Sequence, residues 1–312
     1  MLCRTILYRI GENSPRLEVA VESTLFSLVN DHTVEHHAVG AIGYRHSGGG
    51  FHGSLLHDFE LLVLIICDNC DLSLQIEHCV KGNLQYQVLY VSQQDMIQWT
   101  LSGEHREIMH CFMKGEIIWE TQGRVVDLRS QIMELEQTLK EQSLFREFSR
   151  FLRRYLEAKR YSEDRYFMDA YHSVLEALHH YARLELLEQG IQPGGCVWEQ
   201  ISHRGSVVFK LYEEITESSE TLEQRIQLVL LACEFSVMSK MAHCCKFLLN
   251  ILSSRHEPWS IQELCMHPDL VPVREELPML LRKLVYRSLV RETSLGHQGG
   301  GPTSRHIRYW AN

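Results

Sequence analysis

His57-Asp-Phe-Glu-Leu-Leu-Val-Leu-Ile-Ile66 decides how this chain is read. Two acids, Asp58 and Glu60, open a run of branched apolar residues. On an extended strand residues i and i+2 share a face, so both carboxylates point the same way from the mouth of a strand whose remainder is buried. Two hard oxygen donors held together suit Mg²⁺, which takes carboxylate, phosphate and water oxygens. The plainer alternative is a solvated strand entrance.

Working outward, residues 39–44 predict a short strand and 45–54 (Arg-His-Ser-Gly-Gly-Gly-Phe-His-Gly-Ser) a loop. Residues 17–30 have helical spacing, 69–71 a turn, and 84–91 the alternation of another strand. Helices follow at 93–101 and 106–113, then a strand at 115–119 closed by Thr121-Gln-Gly123. From Asp127 apolar residues recur every three or four positions over 128–158, 164–189, 197–215 and 222–252, which predicts four main helices in a bundle. A third unit starts near His256-Glu-Pro258: Ser260-Ile-Gln-Glu263 is a capping box, Pro278 stands in the first turn of a second helix, and two short strands flank a glycine-rich stretch at 296–302. Helix, turn, helix and hairpin is the winged-helix order. The expected fold class is α+β, with a mixed-sheet domain at 1–126, a helical bundle at 127–254 and a winged helix at 255–312.

With 312 residues, 45% hydrophobic and 23% charged, the composition is ordinary for a globular protein. A net charge of −9 argues against a chain that coats nucleic acid along its length. The last 58 residues are the exception, with eight Lys/Arg against six Asp/Glu, a net +2 that leaves −11 for the rest. Arg282, Lys283 and Arg287 on the second helix and Arg305 and Arg308 on the hairpin would supply a few phosphate contacts to a nucleic acid; protein contact is the alternative. The arginines at positions 4 and 9 interrupt any export signal, no apolar run is both long and uncharged enough to span a bilayer, and ten cysteines read as reduced thiols. The expectation is a cytoplasmic protein that no membrane holds. Cys67-Asp-Asn-Cys70 with His78-Cys79 lacks a second Cys-x-x-Cys, so it is not read as a zinc site.

The order strand, glycine/serine loop, strand with Asp-x-Glu resembles the nucleotidyltransferase superfamily. The matching positions are Gly43, the loop from Ser47 to Ser54, then Asp58 and Glu60. Asp58-Phe-Glu-Leu-Leu, 115–120, Arg153-Arg-Tyr-Leu-Glu157, Asp169-Ala-Tyr-His-Ser173, 177–183 and the terminal unit together resemble the nucleotidyltransferase-like proteins of Bacillus-type Firmicutes. That resemblance implies transfer of a nucleoside monophosphate from an NTP to an unknown acceptor. Mg²⁺ would lie on Asp58 and Glu60, Gly43, Ser47 and Ser54 would serve the nucleotide, and a third carboxylate would come from Glu120 or Glu116.

Three departures accompany it: Gly43 is followed by Tyr44 instead of serine, the acidic pair ends in Glu60, and the 84–91 strand carries Gln85 and Gln87 where an acid is expected. The alternative they leave open is a catalytically degenerate protein that binds nucleotide or nucleic acid as a regulator.

On the 164–189 helix Asp169, His172, Glu176, His179 or His180, and Arg183 follow at steps of three or four and form a polar stripe. It is either a solvated face or the wall of a cleft in which Asp169, His172 and Glu176 contact substrate. His172, Glu176 and His180 also have the i, i+4, i+8 spacing of a metal-ligating face. Arg153, Arg154, Lys159 and Arg160 either complement the helix dipole or touch a triphosphate.

Overall fold

A computed structural model of the chain describes residues 38–45, 61–68, 74–81, 84–296 and 305–311. Asp58, Glu60, Ser47, Ser54, the 17–30 helix, the 69–71 turn and the glycine-rich stretch after Gly296 lie outside the described residues. The chain divides into two compact units, 1–136 and 137–312.

In the first unit, β2 (Leu61–Cys67) is the organising strand, with all seven side chains buried. A strand can be apolar on both faces only where both faces are covered. Its neighbours are β1 (Ala38–Arg45), antiparallel, and β4 (Leu84–Ser92), parallel; β3 (Gln75–Lys81) and β5 (Glu116–Glu120) complete the order β3-β4-β2-β1-β5. Leu62, Leu64 and Ile66 face a core shared with α1 (Gln93–Ser102), α2 (Arg106–Lys114) and the start of α3 (Arg124–Glu163), through Met96, Phe112 and Leu128. Leu61, Val63 and Ile65 join Tyr86, Val88 and Tyr90 on the other face.

β3 is absent from the sequence reading. Its half-buried positions are Gln75, Glu77 and Cys79, while Ile76 and Val80 are exposed. The usual polarity of a half-buried strand is inverted, and the inner acid is satisfied by the Tyr90 hydroxyl, which donates to Glu77 at 3.4 Å.

In the second unit the rear of α3 packs Phe145, Phe148, Phe151 and Tyr155 against α4 (Phe167–Glu188). The expected third and fourth helices are each two. Residues 197–215 divide into α5 (Val197–Ser202) and α6 (Val207–Glu217), because Gly205 adopts φ +63° and Ser206 caps the next helix, accepting from the Phe209 amide. Residues 222–252 divide at Cys245 into α7 (Leu222–Cys244) and α8 (Lys246–Ser253), bent by 41°. No single described helix is long and apolar enough to cross a membrane; this bent pair passes only when its two parts are joined.

The chain ends with β6 (Trp259–Ser260), α9 (Ile261–Met266), a 3-10 turn (Pro268–Val273), α10 (Leu277–Tyr286), β7 (Val290–Gly296) and β8 (Arg305–Ala311). The terminal sheet has three strands, β6-β8-β7, where the sequence suggested two. Ser260 and Glu263 form the capping box, with the Ser260 amide donating to Glu263 at 2.7 Å.

Candidate functional site

Pairing fixes which residues stand at the end of the sheet where β2 begins with Leu61; Asp58 and Glu60 themselves lie outside the described residues. Arg45 and Tyr44, the last residues of β1, lie opposite Leu61 and Leu62, and Tyr86 and Gln87 of β4 lie beside the same two. Gly43 is opposite Val63 on one side and Glu116 on the other. Tyr44, standing where serine is usual, has its ring 6.1 Å from that of His110 on α2. A Cβ on Gly43 would meet the Ile118 side chain at 3.1 Å, so packing alone asks for a small residue there.

β4 carries the family's third acid in the resemblance, and here it carries amides. Gln87 alternates with Leu89 and Val91 on the helix-covered face, beside Leu62, and is 2% exposed; Gln85 lies one alternation nearer the strand's start and is exposed. Glu120 is elsewhere. It pairs with Gly40, which is also opposite Ile66, five residues along β2 from Leu61, or about 17 Å. Its carboxylate accepts from the amides of Val125 and Val126 at 3.1 and 3.2 Å and so caps α3. Glu120, expected from the sequence as the third carboxylate, is thus engaged at the helix terminus. Glu116 stands at the correct end of the sheet, but it alternates with Ile118 onto the face of Leu61, not that of Leu62.

The second polar constellation lies on α4 and α3. Its centre is Glu147, which the sequence reading overlooked. It is 5% exposed and accepts from His180 Nδ1 at 2.9 Å and from Arg183 Nε at 3.0 Å. Burial works against its charge, yet these two hydrogen bonds and the charges behind them hold the carboxyl below the usual carboxylate range. The signal was available: Glu147 sits among Leu144, Phe148 and Phe151, on the apolar stripe of its helix. Next to it His179 lies 6.2 Å, ring to ring, from Trp198, which stacks on Tyr212 at 4.2 Å. Burial, and then the neighbouring His180 and Arg183, push the His179 imidazole down.

Two further members of the stripe, His172 and Glu176, are engaged in ion pairs. Glu176 lies 3.3 Å from Arg154 and 3.6 Å from His172, while Asp169 is exposed in the first turn of α4. Because His180 is turned to Glu147, the metal spacing of His172, Glu176 and His180 gathers no ligand set; among the described residues no three His, Cys, Asp or Glu are placed to hold a metal. Three of the four residues of the basic cluster are likewise paired with acids. Arg153 bonds Glu157, Glu275 and Glu276, Arg154 bonds Glu157, and Lys159 lies 3.5 Å from Glu234.

Residues 26–139 match the family model described as nucleotidyltransferase-like. The chain carries a nucleotidyltransferase-like domain. Residues 141–240 match a second model, the YgxA-like substrate binding domain. The chain is 29% identical over 246 residues to a protein of Bacillus subtilis (strain 168) named uncharacterized protein YgxA, which covers 79% of this chain and 83% of that one. The crystal structure of a nucleotidyltransferase-like protein from Exiguobacterium sibiricum superposes with a TM-score of 0.54 at 27% identity, over 93% of this chain and 99% of that one. The likeness to this solved structure therefore extends past the first domain, and both relatives belong to the Bacillus-type Firmicutes named by the resemblance.

Proposed function

We propose that the protein is a metal-dependent nucleotidyltransferase that moves a nucleoside monophosphate from an NTP to an acceptor recognised through residues 141–240. The observation that carries this reading is the pairing of β2: its first described residue sits between the end of β1 and the start of β4, where the sequence places Asp58 and Glu60. In an extended strand residues two apart share a face, so acids at 58 and 60 would share that of Leu62 if the strand ran back to them.

Two carboxylates are a donor set that fits Mg²⁺, which is commonly held by one or two carboxylates together with substrate phosphates and water. Asp58 and Glu60 would hold it, and when bound it neutralises triphosphate charge and orients the leaving pyrophosphate. Gly43, Ser47 and Ser54 serve the phosphate side. The acceptor's nucleophile bonds to the α-phosphorus as the bond to pyrophosphate breaks. The match of 141–240 to a substrate-binding model supports placing acceptor recognition on the second unit, with Asp169, His172 and Glu176 as contacts. No disulfide joins the eight described cysteines to one another, in keeping with a cytoplasmic setting.

The buried Gln87 and exposed Gln85 favour a second reading, in which the domain binds nucleotide or nucleic acid without transfer. In it the terminal unit acts as a winged helix. Arg282 is paired with Glu292, and Arg308 bonds the Pro258 carbonyl and Glu263, so on the second helix Lys283 and Arg287 carry the phosphate contacts. Pyrophosphate release from each NTP, with aminoglycosides, a protein mixture or RNA ends as acceptor, tests transfer. Release that Glu60→Gln abolishes supports the enzyme. Nucleotide binding with no release for any acceptor class supports the binder.

A further inference from the structure

Helix α7 is apolar on two opposite faces. One, through Ile226, Val229, Cys233 and Val237, is buried in the helical core. The other carries Leu228, Leu231, Phe235 and Met238, which are 49, 71, 74 and 46% exposed. Most helices of globular proteins turn a polar face to water. This one does not.

The exposed residues are spaced 3, 4, 3, the repeat of a two-helix seam, and Gln224 and Ala242, both exposed, extend it by one step at each end. The seam is symmetric about position 233. Run antiparallel against a copy of itself, it places Leu231 against Phe235, Leu228 against Met238 and Gln224 against Ala242, and the reverse set follows from the same two-fold axis. A surface that complements itself in this way is what an isologous dimer needs.

The four side chains expose about 500 Å² of apolar surface, at the upper end of what monomers leave open. Two copies would bury about 1,000 Å² from these residues alone, the threshold for a specific interface before any polar rim is added. Charge does not oppose the contact. Glu234, the acid flanking the seam nearest the axis, is paired with Lys159 of its own chain at 3.5 Å, and Ala232 on the other flank allows close approach.

We infer that the protein forms a two-fold dimer through antiparallel packing of α7 on the α7 of a second copy, with Leu231 and Phe235 at its centre.

The test is the mass of the full chain in solution, by sedimentation equilibrium at about 50 µM, a concentration at which a micromolar dimer is mostly assembled. Wild type should sediment at twice 36.4 kDa. Leu231→Glu and Phe235→Lys, both at exposed positions, should each be folded by circular dichroism and monomeric. Mixing the two should restore the dimer, because the glutamate at 231 of one chain then meets the lysine at 235 of the other while the second layer stays apolar. A monomeric wild type overturns the proposal, including one that floats with anionic lipid vesicles, which would assign the stripe to a membrane surface. A dimer that survives both single changes, or a mixture that stays monomeric, overturns it too.

Discussion

Leu62 of β2 and Gln87 of β4 stand side by side on the helix-covered face of the sheet, both almost wholly buried. An amide therefore occupies the position next to the head of β2 where the resemblance expects a carboxylate. An amide oxygen is a weaker partner for a divalent cation than a charged carboxylate. Gln85, on the same face and exposed, is the place to restore the charge. Gln85→Glu should tighten Mg²⁺-dependent NTP binding by about tenfold, equivalent to about 1.4 kcal/mol, measured by titration calorimetry. Unchanged affinity would show that this face does not see the metal.

Glu147 is the keystone of the α3–α4 seam. Glu147→Ala leaves His180 and Arg183 without their acceptor, and removing one partner of a buried ion pair costs about 3 kcal/mol. Urea unfolding should show the loss as a lower midpoint with an unchanged slope.

The same seam sets an acid response with two steps. The His179 imidazole is held down from its ordinary 6.5, so the unfolded chain takes up that proton first, and stability declines as pH falls below about 6.5. The Glu147 carboxyl is held below its ordinary 4.5, so its contribution is present above that value and is lost as pH falls through the lower folded value. Thermal melts from pH 8 to pH 3 should show both declines, and Glu147→Gln should shrink the second, to which the lowered Glu141, Glu157 and Glu263 carboxyls also contribute. A Glu147→Gln profile parallel to wild type below pH 4.5 would contradict the assignment.

Gly115 and Gly43 should respond unequally. A Cβ on Gly115 would come within 2.7 Å of the Cys111 carbonyl oxygen and 2.8 Å of that of Gly43, backbone atoms with no room to yield. Gly115→Ala should cost about 2 kcal/mol as an overpacked site, while Gly43→Ala, against one side-chain methyl at 3.1 Å, should cost less than half as much. Chemical denaturation of both variants checks the order.

Glu120→Ala should remove a helix cap worth about 1 kcal/mol and leave nucleotide affinity unchanged. A variant of wild-type stability that no longer binds NTP would return Glu120 to the site.

Much of this architecture is legible in the residues. β2 is a run of branched apolar side chains, and the capping box at Ser260 and Glu263 announces α9. β3 was hidden because its inner face carries Gln75, Glu77 and Cys79, and the half-buried acid is satisfied by donors from Gln75 beside it and from the distant Tyr90 hydroxyl. The break before α6 was hidden because Gly205 looks like any tolerated helix glycine until its positive φ is known. At the site, Asp-x-Glu spacing and the two glutamines could be read directly. Glu120 could not be placed, since the strand order that puts β5 beyond β1 is a tertiary fact. Glu147 was lost to the stripe on the partner helix.

The central claim is most directly tested by calorimetry of each NTP, with and without Mg²⁺, on wild type, Asp58→Ala and Glu60→Ala. The account predicts saturable binding that requires Mg²⁺ and disappears in both variants. Binding that is indifferent to Mg²⁺, or that persists at wild-type affinity in either variant, would contradict it.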